Sequence, residues 1–111
     1  MGQKEDYNKL LLEYKTLISK YNKNYNTFNK NYITYTDFKL SISSKIINSN
    51  SFEERKKLKN QETIELTKIM EEQRKVDKLK GEITKMKFNL NILFSKLRRE
   101  GIPVEDFYNI K

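Results

Sequence analysis

Four carboxylate pairs, Glu53/Glu54, Glu62/Glu65, Glu71/Glu72 and Glu105/Asp106, come closest in this 111-residue chain to a spacing that acid–base chemistry uses. Two carboxyls act as acid and base only where a desolvating cleft drives their pKa values apart. Most of these acids have a lysine one helical turn on, Glu53 with Lys57 and Glu71 with Lys75, which is the spacing of ordinary ion pairs on a helix surface. Histidine and cysteine are absent. That removes the usual general base, the thiolate nucleophile and the common ligands of zinc and haem. The three scattered glycines make no phosphate-binding loop. The chain reads as non-catalytic, with no cofactor.

Basic residues carry a second kind of chemistry. Arg74, Lys75, Lys78, Lys80, Lys85, Lys87, Lys96, Arg98 and Arg99 face only two acids in the same stretch, Asp77 and Glu82, within a chain of net charge +8. These nine are candidate contacts for a polyanion: nucleic-acid phosphates, an anionic membrane surface or an acidic protein surface. On a seven-residue repeat they spread over several flanking positions, as the charges of a plain solvated face do. Heavy use of Asn, Lys, Ile, Tyr and Phe with no Ala or Trp matches an AT-rich coding sequence, which inflates Lys on its own. The aromatic residues of the first half are not interleaved with the basic run, so base stacking is not expected.

The third feature is apolar. In residues 86–97, Met86, Phe88, Leu90, Ile92, Leu93, Phe94 and Leu97 point to every side of a helix. Leu90 and Leu97 occupy one seam position, Met86 and Leu93 the other. Phe88 and Ile92, four residues apart, stack away from that seam, with Phe94 at the margin. The following tail adds Ile102, Val104, Phe107, Tyr108 and Ile110. Phe88, Ile92, Phe94, Val104, Phe107 and Tyr108 are therefore the expected protein interface, covered by a second chain. The alternative is that the tail folds back on its own helix.

The elements that must hold these residues follow from period and punctuation. Apolar residues recur every seventh position through Tyr7, Tyr14, Tyr21, Phe28, Tyr35 and Ile42. Leu10, Leu17 and Phe38 lie three further on, and Leu11, Ile18, Tyr25, Tyr32 and Ile46 four further on. This predicts a helix over about 5–47. Its Asn-, Thr- and Tyr-rich middle also alternates well enough for a strand or hairpin over 31–43, but the unbroken repeat favours helix. A corner at 48–51 ends with a capping box, Ser51 and Glu54. A second helix over about 52–100 keeps heptads through Val76, Ile83, Leu90 and Leu97. Upstream, at Leu58, Ile64, Leu66, Ile69 and Met70, the phase reads as slipped, since Glu65 and Glu72 would otherwise sit in the seam, and a stutter or a local change of partner is expected. Gly101 and Pro103 end it, and a short helical turn is expected in the tail over 101–111. The buried tyrosines should lie across the seam edge, their hydroxyls in water or against Lys and Glu.

The fold class is thus all-α: a single elongated antiparallel hairpin of two long helices, a coiled coil with a short tail, expected to be a homo-oligomer or to pair with a partner subunit. No apolar run is long enough to span a bilayer and the N-terminus has no signal-peptide core, which predicts an intracellular protein, cytoplasmic or nuclear. The expected function is a coiled-coil scaffold in a cytoskeletal, centrosomal, kinetochore or tethering setting. Non-specific binding of nucleic acid through 74–99 is the alternative.

Overall fold

The computed structural model describes residues 2–108 and 110. It contains two helices, α1 (Gln3–Asn48) and α2 (Phe52–Arg99), packed against each other as a hairpin, and no strand among the described residues. The contacts divide into two units: one joins the start of α1 up to Lys23 with α2 from Asp77 onward and the tail, and the other is Asn24–Val76.

In the corner unit the doubtful segment is helical throughout. Residues with poor intrinsic propensity are held there by packing: Phe28, Asn31 and Phe38 are half-buried and Tyr35 and Ile42 buried, on the seven-residue period. Thr34 and Thr36 donate their hydroxyls to the carbonyls of Lys30 and Tyr32 one turn back, at 3.1 and 3.0 Å, so neither competes with the helix for backbone amides. Tyr25 and Tyr32 are exposed, so the stripe is narrower here than the repeat suggested.

The expected stutter is absent. Glu62, Ile69 and Val76 continue the series that runs on through Ile83, Leu90 and Leu97, and Leu58, Glu65 and Glu72 continue that of Leu79, Met86 and Leu93; every one is buried or half-buried. Ile64, Leu66 and Met70, which suggested the slip, are exposed. The acids remain in the seam because a two-helix seam is shallow enough for a carboxylate to reach its edge. There Asn31 Nδ2 donates to both carboxylate oxygens of Glu72, at 2.9 and 3.1 Å. A polar pair therefore stands where both helices would otherwise offer leucine.

The corner is shorter than expected, because Asn48 is still helical. Glu54 donates its amide to Ser51 Oγ at 3.3 Å, the first half of the capping box. The reciprocal half is replaced. Ser51 donates its amide to Ser49 Oγ, and the Glu54 carboxylate approaches that same hydroxyl at 3.2 Å. At the other end Gly101 has φ +75°, Ile102 donates to the Leu97 carbonyl at 3.0 Å, and Gly101 donates to that of Arg98 at 3.1 Å. This is a Schellman stop, and Ile102 packs on the cluster that contains Leu97.

The core of the other unit is Tyr7, Leu11, Tyr14, Leu90, Leu97 and Phe107, flanked by Leu10, Ile18, Ile83, Met86, Leu93, Phe94, Ile102, Val104 and Ile110. Burial of Tyr7 and Tyr14 among aliphatic residues of α2 is what the heptad alignment called for. The presence of Phe107 at its centre is not.

Candidate interaction surface

Among its described residues the tail after Gly101 is an irregular strap, without the expected helical turn. It folds back over the open end of its own hairpin, and Phe107 is 1% exposed. The Phe107 ring meets Tyr14 edge-on at 6.2 Å and Phe94 edge-on at 6.0 Å, and stacks on Tyr108 at 4.5 Å. Tyr7 lies 6.1 Å from Phe94 on the inner side. A buried Phe contributes about 1.5–3 kcal/mol relative to exposure, and edge-to-face contacts add to it. The strap's path is irregular because one of its carbonyls must turn inward: Tyr7 donates its hydroxyl to the Glu105 carbonyl at 2.6 Å.

That bond corrects the expectation for Tyr7. The Tyr7 side chain is fully buried and its hydroxyl is satisfied by a backbone carbonyl, not by water or a Lys or Glu side chain. Burial first, then the nearby charges of Asp106 and Glu105 and the neighbouring Tyr108, push its phenol up to about 12, and burial also raises that of Tyr14. Two outer contacts reinforce the strap. Lys15 reaches the Glu105 carboxylate at 3.2 Å, and Tyr108 donates to Asn91 Oδ1 at 3.3 Å.

Of the six expected interface residues, three pack wholly or partly against the chain's own core. Phe107 is core, and Phe94 and Val104 are half-buried against it, so they serve the chain's own packing. Tail and helix compete for the same apolar end, and the intramolecular contact needs no second molecule. Phe88, Ile92 and Tyr108 remain 65%, 51% and 59% exposed. An open groove of about 360 Å³ lies between α2 and the strap, lined by Thr84, Lys87, Phe88, Asn91, Phe107 and Tyr108.

All nine basic residues are exposed. Arg74 and Lys75 belong to the corner unit; Lys78, Lys80, Lys85, Lys87, Lys96, Arg98 and Arg99 belong to the unit that carries the strap. Lys78, Lys85, Ile92 and Arg99 are successive members of one seven-residue series, and Phe88 is four residues before Ile92. The surviving apolar pair thus sits within a basic stripe on the outside of α2.

The carboxylate pairs do not assemble a centre. Glu54 serves the corner cap, Glu72 the seam, Glu65 pairs with Lys68 at 3.3 Å, and Glu105 with Lys15. The anticipated ion pairs Glu53–Lys57 and Glu71–Lys75 are not formed among the described residues. Among those residues no three carboxylates come together as metal ligands would, and no helix is long and apolar enough to cross a membrane. Comparison with family models, with curated proteins and with solved structures finds no match.

Sequence reading missed Lys15, Asn91 and the Tyr7 hydroxyl as partners of the strap. The density of apolar residues after Gly101 was the available signal that this tail docks.

Proposed function

We propose that this chain is a non-catalytic coiled-coil assembly module that binds other protein, a second copy or a partner subunit, through the outer face of α2 in the strapped unit. One observation carries the reading. After the strap has docked, Phe88 and Ile92 still stand one turn apart and more than half exposed, although the chain had an apolar tail at hand to cover them. A scaffold role in a cytoskeletal, centrosomal, kinetochore or tethering setting, inside the cell, is the setting such a helical module suits. Light scattering of wild type and of Phe88→Lys/Ile92→Lys at two salt concentrations tests self-association. An oligomer largely indifferent to salt that becomes a helical monomer in the double variant is the result expected for pairing of copies; a wild-type monomer removes the second copy as partner.

The full exposure of the basic residues favours one second reading, phosphate contacts to nucleic acid. It calls for retention on a DNA or RNA oligonucleotide that falls steeply with salt and is unaffected by Phe88→Ala/Ile92→Ala.

A further inference from the structure

The assembly reading leaves the partner's chemistry open, and three features of the strapped unit narrow it. The first is charge. Between Lys78 and Arg99 the sole acid is Glu82, while Lys85 lies three residues before Phe88 and Arg99 seven after Ile92 on the same outward series. If two copies met through Phe88 and Ile92, parallel pairing would set Lys85 against Lys85. Antiparallel pairing centred on that pair would bring Lys85 against Lys96. Like charges would face each other in both, which disfavours a second copy here.

The second is shape. The groove beside Phe88 is shallow and open, and the strap forms one of its walls, held by the Tyr108–Asn91 hydrogen bond. An open groove of about 360 Å³ gives a protruding side chain a place beside Phe88. The third is the state of the exposed rings. Tyr108 already stacks on Phe107 at 4.5 Å and takes Phe94 edge-on at 5.8 Å, leaving Phe88 as the main free ring. One free ring is no track for successive bases.

We infer that the exposed outer face of α2, beside the docked strap, is a docking site for an acidic segment of another protein, one that places an aromatic or leucine side chain against Phe88 and Ile92 and carboxylates against Lys85, Lys87 and Arg99. The inference rests on the assembly reading and specifies its partner. Apolar anchors against Phe88 and Ile92 supply affinity, and the surrounding cations select against basic and neutral segments and speed encounter.

The test is a selection of random 16-residue phage-displayed peptides on the full chain, counter-selected on Phe88→Ala/Ile92→Ala, whose side chains are exposed enough to leave the fold intact. Enriched peptides should combine net negative charge with an aromatic or leucine anchor. Synthesised singly, they should bind at least tenfold more weakly to Phe88→Ala/Ile92→Ala and to Lys85→Glu/Lys87→Glu. Far-ultraviolet circular dichroism of both variants should match wild type. No enrichment over the counter-selection, enrichment of neutral or basic peptides, or indifference to the Lys85→Glu/Lys87→Glu change overturns the inference. So does binding of an oligothymidylate or of phosphatidylserine vesicles that the Phe88→Ala/Ile92→Ala change weakens while no peptide is enriched. If the wild-type chain is an oligomer dissociated by Phe88→Lys/Ile92→Lys, the acidic partner fails and the assembly reading stands. If the chain is monomeric and no peptide is enriched, both fail.

Discussion

The Tyr7 hydroxyl donates to the backbone carbonyl of Glu105 at 2.6 Å, across 98 positions of sequence, in a fully buried side chain. It ties the first turns of α1 to the strap, and its strength depends on the phenol keeping its proton. Because the folded-state pKa is raised from 10.0 to about 12, Tyr7 contributes stability that is intact below pH 10 and lost as pH rises through 12. Strap docking should therefore weaken in that window, seen as phenolate absorbance rising together with loss of helix in the strapped unit. Tyr7→Phe should cost about 1 kcal/mol at neutral pH, since it leaves the carbonyl without its donor. It should also reduce the alkaline loss, leaving the part due to Tyr14. An unchanged alkaline midpoint in Tyr7→Phe would place the titrating group elsewhere.

Phe107→Ala removes the ring on which Tyr14, Phe94 and Tyr108 all pack. The cost of such a core truncation is about 3–5 kcal/mol where the site cannot collapse. Here it is capped by the free energy of strap docking, because the strap can leave. Amide exchange should speed up in 7–14 and 90–97 in this variant, and equally after truncation following Gly101. The corner unit should keep its protection. Equal loss of protection in both units would mean that the hairpin unfolds as one.

Asn31 and Glu72 occupy seam positions that a packing argument alone assigns to apolar residues. Replacing both by leucine should leave stability unchanged or raise it by about 1–3 kcal/mol, whereas Asn31→Leu alone should lower it by stranding a half-buried carboxylate. Urea unfolding of the two single variants and the double variant checks this. A double variant less stable than either single one would show that the polar pair outperforms leucine packing.

Gly81 lies inside α2 on its exposed face, and an added Cβ would meet no atom within 4 Å. Gly81→Ala should raise stability by about 0.5–1 kcal/mol through lower unfolded-state entropy and better helix propensity. A higher thermal midpoint is the expected reading. A lower one would mean that something packs closely on this face in solution.

Much of the architecture is periodic and therefore local. The 3.6-residue turn sets which of Tyr7, Tyr14, Phe28, Tyr35, Leu90 and Leu97 share a face, and Ser51 and Gly101 start and stop helix by satisfying orphan amides and carbonyls within their own turns. Those features were readable from the order of residues, including helix through the Asn- and Thr-rich middle, because an unbroken repeat outweighs weak propensity. The seam acids were misread for the opposite reason. Glu65 and Glu72 kept the period, but their polarity suggested a slip, and only the packed hairpin, with Asn31 opposite Glu72, shows that a shallow seam tolerates them. The tail's apolar residues left its folding back on its own helix as an alternative, but the path of the strap was beyond local reasoning. It has no period, so its position is set by the shape of the hairpin's open end and by the buried hydroxyl of Tyr7, which needed an acceptor that no residue near it in sequence provides. The sequence by itself determined two helices and their facing sides. Tertiary packing decided that Phe107 is buried and Phe94 and Val104 half-buried while Phe88, Ile92 and Tyr108 stay exposed, because the strap docks on the cluster around Tyr7 and Tyr14 and not on the outer face of α2.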